Sequence, residues 1–78
     1  MRNGAKIMKN YLKSHRELVL LSEKELGKRC GCSSKTIESI EKGKYIPSLF
    51  LACRIARELG RPLDKVFCLE VNSWWEYV

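Results

Sequence analysis

Apolar positions recur at helical spacing in a succession of short stretches along the chain. Between about Ala5 and Glu17, a stripe of Ile7, Met8, Tyr11, Leu12 and His15, continued by Leu18, runs along one side while Lys6, Lys9 and Lys13 lie off it, which predicts a first helix. Leu26 and Cys30 follow at i and i+4 with Gly27 beside them and Lys24, Lys28 and Arg29 opposite, so a second helix of about two turns is predicted. Ile37 and Ile40 at i and i+3 predict a third helix whose outer side carries Ser34, Lys35, Glu38, Ser39 and Lys42. Leu49, Ala52, Cys53, Ile55, Ala56 and Leu59 keep the same period in a fourth helix, and Leu63, Val66 and Phe67 form the inward side of a short fifth helix beginning at Pro62.

The residues between these stretches punctuate them. Ser22 followed three positions later by Glu25 is a capping box, in which hydroxyl and carboxylate satisfy backbone donors that a helix start leaves unpaired. Gly31 stands where a helix end needs a left-handed residue, Cys32 plugs the turn, and Ser33 caps the next helix. Gly43 ends the third helix, Ser48 caps the fourth and Gly60 closes it. Two helices joined by so short a turn bring their backbones together, which explains a small residue at Gly27.

The joint spacing of Gly27, Gly31, Ile37 and Ile40 resembles the helix-turn-helix of the phage Cro and C1 repressor-like family, also called the XRE family. The family string is close to LSQEELAxxLGVSxxTISxIExG, and this chain reads LSEKELGKRCGCSSKTIESIEKG from Leu21 to Gly43. IPSLFLACRIARELGRPLDKVF resembles the family's last two helices, so the likeness covers roughly residues 6 to 68. It implies an all-α, five-helix, lambda-repressor-like DNA-binding domain over residues 1–68, followed by an aromatic tail over residues 69–78.

The resemblance also implies roles. The third helix would enter the major groove, with Ser34, Lys35 and Ser39 over base edges and Thr36 and Glu38 beside them. Lysine at position 35 can donate to guanine O6 or N7, and Glu38 can accept from cytosine N4. Family members often have glutamine at the positions of Glu23 and Lys35, so a different operator is expected here. Glu23 would hold a phosphate through its backbone N–H alone, since its carboxylate repels one; Lys42, Lys44, Lys35 and Tyr45 would supply further phosphate contacts, with Lys28 or Arg29 peripheral. Arg16 commonly pairs in the family with the glutamate that ends the recognition helix, here Glu41. A glycine is usual where Leu20 stands, so the end of the first helix is expected to differ. His15, where leucine is usual, is expected to be partly buried with one hydrogen bond.

Composition supports a nucleic-acid partner without deciding it. Fifteen Lys and Arg against nine Asp and Glu leave a formal charge of +6, an excess that suits a polyanion. The basic N-terminus has no apolar run of signal-peptide length behind it, and the longest apolar run is Leu18 to Leu21, so a cytoplasmic chain without a membrane span is expected. Four cysteines and a single histidine lack zinc-ligand spacing; Cys30, Cys32 and Cys53 fall on apolar positions and read as small core residues, with no metal and no cofactor. No nucleophile and base stand together, so an enzyme is not expected.

One recognition helix reads only a few base pairs, which argues for a homodimer on a near-palindrome and for a transcriptional regulator, more often a repressor. The competing reading is a protein-interaction module such as an antitoxin partner. The tail LEVNSWWEYV, with Trp74 and Trp75, would then meet the partner. For that tail three arrangements stay open: folding back over the first and fifth helices, a dimer contact as strand or helix, or a flexible partner-binding end.

Overall fold

Each helix buries one narrow apolar side, and these sides meet at a single point. The computed structural model describes residues 10–67, which form α1 (Leu12–Leu18), α2 (Glu23–Cys30), α3 (Ser34–Glu41), α4 (Leu49–Leu59) and α5 (Leu63–Val66). Leu12, Leu26, Ile37, Ile40, Ile55, Val66 and Phe67 are sealed from solvent, and Cys30, Ala52, Ala56 and Leu59 complete the core around them. Packing of α2 against α3 and α4, with α1 against α3 and α5 against α4, sets α3 on one side of the body with its polar face outward. The fold is all-α among the described residues.

The helix boundaries follow from the caps. Ser22 Oγ accepts from the Glu25 N–H at 3.0 Å while Glu25 Oε1 accepts from the Ser22 N–H at 2.8 Å, closing the capping box that starts α2. Gly31 takes the left-handed conformation at φ 78°, and Ser33 Oγ accepts from the Thr36 N–H at 3.1 Å to start α3. Gly27 lies so close to the turn that a Cβ there would stand 2.6 Å from the Cys32 carbonyl oxygen.

Several sequence expectations are corrected. The first helix begins at Leu12, not near Ala5, because Asn10 is held in an antiparallel bridge with Phe67 and its Oδ1 accepts from the Leu12 N–H at 3.1 Å, an Asx-type start. The part of that expectation over residues 5–9, with Ile7 and Met8, lies outside the described residues, as do Cys68 and the tail from Leu69 to Val78. Tyr11 and Leu18 are 52% and 68% exposed, because Leu12 and Arg16 take the inward positions of α1. Cys53 and Leu49 are also exposed: the buried row of α4 is Ala52, Ile55, Ala56 and Leu59, and a residue next to that row turns about 100° away. Pro62 is the N-cap of α5 and precedes its first residue.

The junction after α1 is a left-handed turn made by a residue other than glycine. Leu20 stands at φ 61°, and the Leu21 N–H donates to the Arg16 carbonyl at 3.2 Å, so the chain closes α1 as a glycine would. A left-handed L-residue costs about 1–2 kcal/mol, and Leu20 is 88% exposed, so its side chain recovers little by burial. Leu20→Gly is therefore expected to stabilise the domain by about 1 kcal/mol after the extra freedom of the unfolded chain is subtracted. Thermal melting would show this as a rise of about 4–8 °C.

Candidate nucleic-acid interface

The outward side of α3 and the loop after it form the candidate interface, and its stiffness comes from what lies behind it. Ile37 and Ile40 anchor α3 in the core, leaving Ser34 and Lys35 exposed at its first turn and Ser39 half-buried further along. The Lys44 N–H donates to the Ser39 carbonyl at 2.9 Å, wrapping the chain back across the helix end so that Lys44 and Tyr45 follow directly on the exposed face.

The far end of α3 is fixed by three polar contacts. Arg16 Nε donates to Glu41 Oε2 at 2.6 Å and its Nη2 to Glu41 Oε1 at 3.3 Å, a forked pair whose side chains are only 10% and 5% exposed. Arg16 Nη1 also donates to the Leu21 carbonyl at 2.9 Å, so one guanidinium joins α1, the loop before α2 and the end of α3. The bond from Glu41 holds the Arg16 pKa above its ordinary value. Asn10 supplies the third contact, its Nδ2 donating to the Ile40 carbonyl at 2.9 Å. Sequence reasoning missed Asn10. An asparagine just before an apolar period was the available signal, since such residues cap helix starts.

Not every assigned side chain is free for a ligand. The Thr36 hydroxyl lies 3.0 Å from Ser33 Oγ and is half-buried, so it is engaged within its own helix start. Glu38 and Lys42, given separate base and phosphate roles, form an i,i+4 ion pair at 2.8 Å. That pairing pushes the Glu38 carboxyl down and the Lys42 ammonium up. Lys35 and Lys44 are the cations of this face with no ion-pair partner among the described residues. Glu23, at the start of α2, is half-buried, and hydrogen bonding with the Glu41 carboxyl raises its pKa, helped by desolvation. The α2 N-terminus keeps the dipole that favours an anion.

His15 bonds once, Nε2 to the Lys65 carbonyl at 3.2 Å, and its Nδ1 is buried without a partner. Burial pushes the Cys30 thiol up to about 11, and Cys32 is raised for the same reason, which suits inert packing groups at the turn. Arg54 Nη2 donates to the Arg29 carbonyl at 3.1 Å, tying α4 to the end of α2. No helix among the described residues is long and apolar enough to cross a membrane.

Comparison with known proteins agrees with this geometry. A family model for the Cro and C1-type helix-turn-helix matches residues 12–66. An HTH-type transcriptional regulator from Methanothermobacter thermautotrophicus is 44% identical over 67 residues, covering 85% of this chain and 97% of the relative. One from Methanocaldococcus jannaschii is 48% identical over 63 residues, covering 81% and 96%, and YgzD of Bacillus subtilis is 40% identical over 66 residues, covering 85% and 100%. A solved structure of hydroxypropylphosphonic acid epoxidase from S. wedmorenis matches 72% of this chain with TM-score 0.67 and 28% identity, but that match spans only 30% of the longer chain. The regulators, by contrast, are matched over nearly their whole length. The chain belongs to the Cro and C1-type helix-turn-helix family and is a DNA-binding transcriptional regulator.

Proposed function

We propose that the protein is a repressor that binds a near-palindromic operator as a homodimer, with α3 in the major groove. The observation that carries this reading is the exposed Lys35, without an ion-pair partner among the described residues, on the first turn of a helix whose other side is locked into the core by Ile37 and Ile40. Lys35 donates to guanine, Ser34 and Ser39 each exchange one hydrogen bond with a base edge, and Thr36 holds the helix start in the geometry they need. Glu38 accepts from cytosine once Lys42 turns from it to a phosphate. Lys44, Tyr45 and the Glu23 N–H complete the phosphate contacts. Twofold symmetry places the second α3 about 34 Å away, one turn along the duplex.

The roles separate in one binding experiment. Lys35→Ala is expected to lose about 1–3 kcal/mol on operator DNA and much less on scrambled duplex, whereas Lys44→Ala weakens both alike and flattens the salt dependence by about one ion. Equal losses on both duplexes for both variants would reject the assignment of base and phosphate roles.

A further inference from the structure

The chain reverses at the end of α3, and the geometry of that turn sets where Lys44 and Tyr45 stand. Gly43 is left-handed at φ 75° and its N–H donates to the Ile40 carbonyl at 3.0 Å, while the Lys44 N–H donates to the Ser39 carbonyl at 2.9 Å. These are the paired bonds of a Schellman turn. The ends of α1 and α4 close with the same two backbone bonds, made by Leu20 and Leu21 and by Gly60 and Arg61. At α3 a distant side chain joins them. Asn10 Nδ2 donates to the Ile40 carbonyl at 2.9 Å from 30 residues away, so both lone pairs of that oxygen are engaged.

Asn10 reaches the turn from a fixed post. The Tyr11 N–H donates to the Val66 carbonyl at 2.8 Å, and Asn10 is bridged to Phe67, which is buried in the core. The other end of its side chain, Oδ1, accepts from the Leu12 N–H at 3.1 Å, which turns Nδ2 toward Ile40. Arg16 grips the same helix end through the Glu41 side chain and leaves the backbone of the turn to Asn10. We infer that Asn10 is a positioning residue for DNA binding: it holds the turn after α3 so that Lys44 and Tyr45 meet the phosphates, and it acts through them rather than on a base. This rests on the phosphate role proposed above for Lys44 and Tyr45.

Substitution separates the two ends of the side chain. Asn10→Ser keeps an oxygen to cap the Leu12 N–H but is too short to reach Ile40; Asn10→Asp keeps the cap and sets a carboxylate against the Ile40 carbonyl, at the negative end of the α3 dipole. Hydrogen exchange of the Gly43 and Lys44 amides is expected to quicken about fivefold in Asn10→Ser, the worth of one net hydrogen bond, and further in Asn10→Asp. Affinity for operator and for scrambled duplex is expected to fall alike, by about fivefold for Asn10→Ser and more for Asn10→Asp, at a temperature where circular dichroism shows each variant fully folded. The loss should vanish in a Lys44→Ala, Tyr45→Ala background, because the residues through which Asn10 acts are then gone. Unchanged exchange at Gly43 and Lys44, unchanged affinity in folded Asn10→Asp, or a loss that persists in the alanine background would overturn the inference. A wild type that binds neither duplex rejects the DNA reading itself, and the exchange rates, measured without DNA, then still decide whether Asn10 holds the turn.

Discussion

Arg16→Ala is expected to lower the unfolding free energy by about 3–5 kcal/mol, the cost of leaving a buried partner charge uncompensated. The Glu41 side chain is only 5% exposed and takes both of its charged contacts from this arginine, so its charge is left without a cation among the described residues. The Leu21 carbonyl loses its donor at the same time. A domain of this size has total stability near the lower end of about 5–15 kcal/mol, so the variant should melt at least about 12 °C below the wild type. Arg16→Met combined with Glu41→Leu should recover much of that loss, because two apolar side chains leave no charge stranded. Thermal melts of the single and double variants check both statements; a single variant melting within about 3 °C of the wild type would show that the pair contributes little.

Gly27→Val should cost about 3 kcal/mol for a different reason. A Cβ at this position meets the Cys32 carbonyl oxygen at 2.6 Å and the Ser33 carbonyl atoms at 3.0 Å, all of them backbone and none able to swing aside. A branched side chain must therefore push α2 away from the turn that launches α3, the overpacking penalty in its most local form. Gly27→Ala places its Cβ in the same contact, and the gain of about 1 kcal/mol in helix propensity offsets only part of that cost, so it should also destabilise, though less than valine. Urea unfolding ranks the two: the midpoint should fall for both, and further for valine than for alanine. A valine variant as stable as the wild type would mean that the turn yields, and that the close approach does not constrain the motif.

The fold was legible where one residue's chemistry decides the backbone. Ser22 with Glu25, Ser33 and Ser48 mark helix starts because a side-chain oxygen at that spacing reaches an unpaired N–H, and all three do so. Ile37 and Ile40 face inward because nothing else on α3 is apolar. Periodicity failed where two phases fit the same letters. Tyr11 and Leu18 continue a plausible stripe in α1, but the inward position between them belongs to Arg16, which no hydropathy pattern assigns to a core; only the family likeness pointed to Glu41 as its partner. Cys53 was misplaced by one step around α4, enough to bring it to the surface.

The candidate interface was less legible than the fold, because side chains choose partners that spacing does not name. Glu38 and Lys42 read as independent ligand contacts until their 2.8 Å ion pair is seen, and Thr36 until its hydroxyl is found beside Ser33. Leu20 shows the converse. Backbone hydrogen bonding from the α1 terminus imposes a left-handed turn on a residue that disfavours it, which no residue preference at position 20 would have indicated.

The central claim is that α3 reads DNA sequence through Lys35, and selection from a random duplex pool at moderate salt tests it most directly, with Lys35→Ala carried through the same rounds. The account predicts an enriched near-palindrome with half-sites one helical turn apart and guanine at a fixed position in each, and loss of that guanine preference in the variant. No enrichment by the wild type, or the same guanine retained by Lys35→Ala, would contradict it.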